Sequence, residues 1–252
     1  MQRKLAAALA CRAGGTRLYG KPLQNLEPGR TILDHILEAV DKIDEIEEIV
    51  LGISEGVENS PFVDVAKKHG ASYIFGSEKD VLWRLIQCGR AVAATDVFRI
   101  TTECPFTAWE LFPEVWHRHC ENNNDITVTD FLPEGMHFEI YSLESLERSH
   151  RDGNDAERSE FCSAYPRRCP EKFKIELVEP KDEWKRLDLR LTVDYPEDLV
   201  VCRDAYRALK GQIPHLSTDD IIQWVDAHPN IHKLVEPYVV TDPLWAHVVA
   251  ES

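Results

Sequence analysis

A chain of 252 residues, 43% hydrophobic and 29% charged, is long enough to bury one large α/β core or at most two small ones. Its formal net charge of −15 excludes nonspecific binding to nucleic acid or to an anionic membrane, both of which need a cationic face. A small anionic ligand held by a local cluster of Arg and Lys stays open. No apolar run approaches the roughly 20 residues of a membrane span. Leu5–Ala10 is expected to be a first core strand and not a signal peptide. The seven cysteines (Cys11, Cys88, Cys104, Cys120, Cys162, Cys169, Cys202) are scattered, with no CxxC pair. They read as reduced thiols of a cytoplasmic protein, not as a zinc site or a disulfide framework.

In chain order, Leu5–Leu9 predicts a buried strand. Thr31 is placed to cap a helix whose apolar face is Ile32, Leu33, Ile36, Leu37, Val40 and Ile43. Glu48–Ile53 predicts a strand, and Ser60-Pro61 opens a short helix that Gly70 stops. Tyr73–Phe75 follows as a brief strand, Lys79–Ala93 as a helix, Val97–Thr101 as a strand and Trp109–Cys120 as a helix. Strands alternating with helices of about 10–15 residues mean βαβ units and a mainly parallel sheet with helices on both faces.

Residues 125–180 break this rhythm, with strands expected near Ile126–Thr129, Met136–Tyr141 and Phe173–Glu179 among polar, loop-rich helices. They read as an insertion that returns to the main sheet at Leu187–Val193. Pro196–Leu209 and Ser217–Ala227 close the pattern as helices, with Asp220 at capping-box spacing from Ser217. Trp83, Trp109, Trp116 and Trp224 lie in helical patterns and read as core or interface. There is neither a low-complexity linker nor a repeat. The expectation is one domain over 1–252, with an insertion at about 125–180 and a C-terminal helical extension at about 212–252.

The first strand runs into Arg12-Ala13-Gly14-Gly15-Thr16-Arg17-Leu18-Tyr19-Gly20-Lys21-Pro22. Its glycines let a backbone rich in N–H groups approach a ligand closely, and Arg12, Arg17 and Lys21 supply the charge to hold a polyphosphate. Gly15 to Lys21 fits GxxxxGK, the start of a P-loop. Pro22, however, stands where that motif needs Ser or Thr for Mg²⁺, and no helix runs smoothly through Leu18–Pro22. A P-loop ATPase is excluded; phosphate binding is not.

Two strands lead into carboxylates, Val97–Thr101 into Glu103 and Leu189–Val193 into Asp194. In an open parallel sheet, ligands bind outside the carboxyl ends of the strands. Two hard oxygen ligands beside a phosphate loop suit Mg²⁺ bridging a triphosphate. Taken singly, Asp194 could equally cap the helix beginning near Pro196, and Asp198 reads as serving the helix dipole or supporting the site from behind.

At this point the chain resembles a family. Residues 10–23, Gly76–Arg84, Arg99–Pro105 and Arg190–Leu199 are similar, in order, to blocks of the acylneuraminate cytidylyltransferase superfamily, most of all to its spore coat polysaccharide biosynthesis F-type branch. The resemblance implies a Rossmann-like nucleotidyltransferase fold with an inserted β-rich segment for acceptor binding and dimerisation. It also implies CTP as donor, Mg²⁺ as cofactor, release of pyrophosphate and a homodimer. It places Arg12 and Lys21 at triphosphate-binding, catalytic positions and Glu103 and Asp194 at metal-binding ones. Ala10, Ala13, Gly14, Gly15, Arg17, Gly76, Asp80 and Thr102 complete the expected nucleotide-binding set. Arg84, Gly135, His137, Glu139 and Arg158 form the expected acceptor-binding set.

The sequence departs from the family twice. Glu103 stands where the family usually has Asp, and Arg158-Ser159-Glu160-Phe161 replaces a run that ends in His. The expected reaction is in-line attack by a small acidic acceptor on the α-phosphorus of CTP. A nucleotide-sugar-dependent glycosyltransferase would show an Asp-x-Asp metal motif, which this chain lacks. A nucleotide-binding protein weakened at Glu103 would bind CTP and make no pyrophosphate.

Overall fold

The computed structural model describes residues 3–249. Seven strands form one sheet in the order β5-β4-β1-β6-β8-β7-β9: β1 (Leu5–Cys11), β4 (Ile46–Ser54), β5 (Ser72–Gly76), β6 (Asp96–Ile100), β7 (Ile126–Thr129), β8 (Glu139–Ser142) and β9 (Ile175–Val178). β5, β4, β1 and β6 pair in parallel, β8 pairs antiparallel with both β6 and β7, and β7 and β9 are parallel. A separate two-stranded ribbon joins β2 (Asn25–Glu27) to β3 (Arg30–Thr31).

Because β1 lies at the centre of the parallel half, it is apolar on both faces. Leu5, Ala7, Leu9 and Cys11 enter one core while Ala8 enters the other, as the two-residue period of a strand dictates. The first core is completed by α1 (Ile32–Val40), α2 (Pro61–Lys68), α4 (Phe112–Glu121), α7 (Pro196–Leu209) and α8 (Thr218–Ala227). Val81, Leu82, Leu85 and Ile86 of α3 (Val81–Ala91) and Leu146 of α5 (Leu143–Asp152) fill the second. One short helix, α6 (Ala164–Arg168), lies in the segment before β9. No helix among the described residues is long and apolar enough to cross a membrane.

Helix starts follow their local chemistry. Thr31 Oγ1 accepts from Asp34 N at 3.0 Å while Asp34 Oδ2 accepts from Thr31 N at 2.9 Å, a reciprocal capping box. Asp80 caps α3 by accepting from Trp83 N at 2.8 Å.

The segment expected to be an inserted β-rich unit is different. Its strands β7, β8 and β9 extend the main sheet beyond β6 instead of forming a sheet of their own. Leu187–Val193 does not return as a strand. It touches the rest of the chain's backbone through a bridge between Glu134 and Arg190 and through Val193 N donating to Glu103 O at 3.0 Å. Two or three backbone contacts cannot define a ladder, so side chains fix this segment.

One buried group makes the fold sensitive to acid. His35 is fully buried with its ring edge against Tyr206, centroids 5.2 Å apart. Burial first, then the Arg30 charge, lower its pKa to about 4. The unfolded chain takes up that proton near the ordinary value of about 6.5. Its stabilisation is therefore complete above about 6.5 and is lost as pH falls towards 4. In urea titrations at pH 7, 5.5 and 4.5, His35→Phe is expected to lose less stability on acidification than the parent chain. Equal losses in both would contradict this account.

Candidate active site

The glycine-rich loop leaves β1 and folds back on itself, with Gly20 N donating to Ala13 O at 2.8 Å. Gly15 cannot carry a side chain, because a Cβ there would lie 2.4 Å from Leu18 O, and Gly20 adopts φ of 59°. Lys21–Leu23 is a single 3-10 turn containing Pro22, so the loop does not lead into a P-loop helix. It presents three cations. Lys21 Nζ lies 2.5 Å from Asp194 Oδ1. Arg12 Nη2 lies 2.8 Å from Glu160 Oε2, with Glu78 3.8 Å away. Arg17 stacks over the Tyr195 ring at 4.9 Å.

The two acidic strand ends meet beside it. Thr102 Oγ1 donates to Ala10 O at 3.3 Å, which ties the end of β6 to the end of β1. The Val193 N–H on Glu103 O then brings Asp194 to the same rim. Asp194 is held from the other side by Arg190, whose Nη2 lies 2.9 Å from Oδ2.

Arg190 is 4% exposed in its side chain and also contacts Glu134 Oε1 at 2.6 Å and Asp198 Oδ1 at 2.8 Å. Asp198 Oδ2 accepts from the backbone of Asp194 and Tyr195 at 2.8 and 2.9 Å. Asp198 is therefore the carboxylate that caps α7, and Asp194 is released from that duty to face the cleft. Gly135, with φ of 95°, passes so close that a Cβ would sit 2.7 Å from Thr192 N.

These contacts set the two acids apart. Burial raises the pKa of Glu103, with Lys21 opposing and Asp194 reinforcing the rise. Burial acts the same way on Asp194, but the hydrogen bond and charge of Lys21, and then Arg190, hold its carboxyl below the ordinary range. The cations beside Asp194 thus favour its charged form, while burial works against the charged form of Glu103.

A cleft of about 520 Å³ opens here. Its lining includes Gly15, Arg17 and Lys21 of the loop, Glu103 and Asp194 of the acidic rim, Gly135 and His137, and Val240, Asp242 and Leu244 near the C-terminus. A smaller recess of about 90 Å³ adjoins it, lined by Ala10, Arg12, Gly14, Arg84, Arg99, Thr102 and Glu160 among others. Among the described residues no group of three or more His, Cys, Asp or Glu side chains is placed to hold a metal ion. Glu103 and Asp194 supply two carboxylates on one rim. That donor set suits a hard divalent cation sharing its remaining positions with ligand oxygens and water.

Several expected site residues have other work. Glu139 is 2% exposed and takes hydrogen bonds from Arg99, Tyr141 and Trp245, so it does not face the cleft as an acceptor ligand. Arg158 is directed to the carbonyls of His150 and Gly153 and to Asp155. Asp80 caps α3 and bonds His150 Nε2 at 2.8 Å. Ala13 is buried and anchored by Asn59 Oδ1. Gly76 makes room for Arg84, whose Cγ would lie 2.7 Å from a Cβ there. Arg84 reaches the recess, but its Nη1 is engaged by the carbonyls of Cys11 and Gly52 at 3.1 and 2.7 Å.

Three residues escaped the sequence reading. Arg99 lines both cavities, Glu160 pairs with Arg12, and Arg190 organises the acids. The one available signal was an Arg inside an otherwise apolar strand, Val97-Phe98-Arg99-Ile100.

The sequence profile of a family described as cytidylyltransferase matches residues 6–204. The chain belongs to that family. It is therefore a nucleotidyltransferase, which sets the glycosyltransferase alternative aside. An uncharacterized protein of Methanocaldococcus jannaschii is 27% identical over 233 residues, covering 92% of this chain and 94% of its own. The spore coat polysaccharide biosynthesis protein SpsF of Bacillus subtilis is 25% identical over 227 residues, covering 88% and 94%. The solved structure of a cytidylyltransferase from Leptospira borgpetersenii superposes with a TM-score of 0.82 at 24% identity, over 92% of this chain and 97% of that one. It shares the Rossmann-like fold.

In this cytidylyltransferase, Arg190 leaves three carboxylates facing one another if it is removed. Arg190→Ala is expected to cost about 3–5 kcal/mol, the usual cost of stranding buried charge. Lys in its place keeps the charge but not the planar fork that reaches all three acids. Chemical denaturation checks both variants; a loss under about 1 kcal/mol for Arg190→Ala would contradict the role given to it.

Proposed function

We propose that this cytidylyltransferase transfers CMP from CTP to a small acidic acceptor (a sugar acid or a related phosphonate or phosphate) with Mg²⁺ as cofactor. The product class fits surface polysaccharide or nucleotide-sugar biosynthesis, the process in the name of its Bacillus subtilis relative. One observation carries the reading. Lys21 from the phosphate loop and Glu103 from the end of β6 line both the small recess and the larger cleft, and Asp194 joins them in the cleft, bound to Lys21.

The triphosphate lies along the loop, where backbone N–H groups and Arg12 and Lys21 receive its β- and γ-phosphates. An acceptor oxygen attacks the α-phosphorus in line. The bond from that phosphorus to its bridging oxygen breaks, and pyrophosphate leaves with the electron pair. The charge that accumulates on the leaving group is met by cations already in place, which is where rate is gained. Glu103 and Asp194 would hold Mg²⁺, which when bound neutralises phosphate oxygens. An acceptor that attacks through an ionised oxygen needs no base.

In the free protein, Lys21 and Arg12 are neutralised by Asp194 and Glu160. Substrate binding on this account is an exchange of partners, carboxylate for phosphate.

Two measurements test the reading. CTP with Mg²⁺ should raise the melting temperature more than ATP, GTP or UTP does, since a ligand that binds only the folded state stabilises it by mass action. Equal shifts for all four nucleotides would contradict the cytidine assignment. In a pyrophosphate-release screen over sugar acids, phosphonates and phosphorylated small molecules, Lys21→Ala and Arg12→Ala should each lose at least about tenfold in kcat/KM, or about 1.4 kcal/mol. Wild-type rates in both variants would refute the triphosphate role.

A further inference from the structure

The family profile ends at residue 204, yet the cleft does not. Val240, Asp242 and Leu244 line it beside Arg99, Glu134 and His137. The segment that carries them is clamped at both ends. At one end, Tyr238 stacks on Tyr195, one residue after Asp194, with ring centroids 3.9 Å apart and planes within 8°. The Tyr238 carbonyl accepts from Arg190 Nη1 at 3.4 Å. At the other end, the Asp130 carboxylate accepts three successive backbone N–H groups, from Leu244, Trp245 and Ala246, at 3.1, 2.5 and 2.9 Å. Asp130 is 3% exposed and belongs to the turn after β7.

Between these clamps Val240, Asp242 and Leu244 line the cleft. Trp245 goes further in. It is fully buried in the second core, and its Nε1–H donates to Glu139 Oε1 at 2.9 Å. The other oxygen of Glu139 receives Arg99 Nη1 at 2.8 Å. Arg99 Nη2 donates to the Glu160 carbonyl at 3.1 Å, and the side chain lines both cavities. Arg12 and Lys21 line both cavities too, but they sit on the glycine-rich loop read as the triphosphate site. Arg99, from β6, is the one of these three cations that lies off that loop.

We propose that the C-terminal segment 238–246 belongs to the active site. Val240, Asp242 and Leu244 wall the acceptor half of the cleft, and Trp245, acting through Glu139, positions Arg99 to receive the acceptor's anionic group. This rests on the reading of the acceptor as an acid. Trp245 is a positioning residue: it never meets the substrate but fixes the carboxylate that aims the guanidinium. A guanidinium held by one carboxylate and one carbonyl keeps its plane, and a planar fork recognises a carboxylate or phosphonate far better when its plane is fixed.

The test separates the two ligands. Trp245→Phe keeps a buried aromatic ring and removes the N–H together with part of the ring volume. Glu139→Gln keeps the volume and removes the charge facing Arg99. Binding is measured by calorimetry on the full chain, first with α,β-methylene-CTP and Mg²⁺. N-acetylneuraminate and 3-deoxy-manno-octulosonate are then titrated as probe acids onto the nucleotide-saturated protein, where the non-cleavable bridge prevents transfer.

For both variants the account expects cooperative melting and nucleotide affinity within twofold of the parent, with affinity for the bound acid at least tenfold weaker. Acid binding at parental affinity in both folded variants would overturn it. So would equal loss of nucleotide and acid, which is what a merely structural role produces, or a parent chain that binds the nucleotide and neither acid. Failure of the parent chain to bind the nucleotide is a different result and overturns the proposed function itself.

Discussion

The guanidinium of Arg190 is the contact on which the site's geometry depends. It ties Glu134 to Asp194 and Asp198 of its own stretch of chain while itself almost wholly buried. Burying a charge costs several kcal/mol unless its partners are close and well oriented, and three carboxylates around one cation leave negative charge over. The excess is met locally, by Lys21 on Asp194 and by the N–H groups of Asp194 and Tyr195 on Asp198. The same arrangement fixes the start of α7, the rim carrying Asp194 and the end of the glycine loop. No β-ladder holds residues 187–193; this charge cluster replaces one.

An acidic protein whose proposed substrate is a tetra-anion must keep its cations local and partnered. Arg12 and Lys21 are both partnered with carboxylates in the free chain, Arg12 with the half-exposed Glu160. Exposed pairs of the Arg12–Glu160 kind contribute about 0–1 kcal/mol, so a phosphate can displace the carboxylate at little cost. Lys21–Asp194 is less exposed and more consequential, because Lys21 and Arg190 together hold the Asp194 carboxyl below the ordinary range. Glu103 differs: burial raises its pKa, and Lys21 only partly opposes the rise.

Local chemistry made most of the fold legible. Apolar periodicity and caps placed β1, α1, α2 and α8 to within a few residues, and Pro196–Leu209 coincides with α7. Pro22 correctly excluded a P-loop. The strands of residues 125–180 were expected near where β7, β8 and β9 lie. What was not legible is that they, and not Leu187–Val193, continue the main sheet, since they are short and the antiparallel β8 breaks the βαβ rhythm. Nothing in a local pattern says that such strands join a sheet already begun.

The site divides the same way. The sequence placed the glycine loop and the acids after β6 and after residues 189–193 near one another, and the structure brings Lys21, Glu103 and Asp194 to one cleft. Glu139 and Asp80 could not be sorted from true cleft residues, because their partners Trp245 and His150 lie far away in sequence. Arg158 and Gly76 meet theirs, His150 and Arg84, only eight residues away, but no local pattern announces those contacts. Asp194 and Asp198 were ambiguous for a related reason. Either could cap α7, and only the position of Arg190 decides that Asp198 does so and leaves Asp194 free.

The most direct test of this division of labour is a Mg²⁺ titration of pyrophosphate release by Asp194→Asn, Glu103→Asp and Glu103→Gln. Asp194→Asn keeps the size of the side chain and removes the charge that opposes the cation, and it should be nearly inactive at every Mg²⁺ concentration. Glu103→Asp should stay active, and Glu103→Gln should be impaired in a way that more Mg²⁺ or Mn²⁺ partly restores. Parental turnover by Asp194→Asn would show that the carboxylate between Lys21 and Arg190 is only a structural tie and that the metal is held elsewhere.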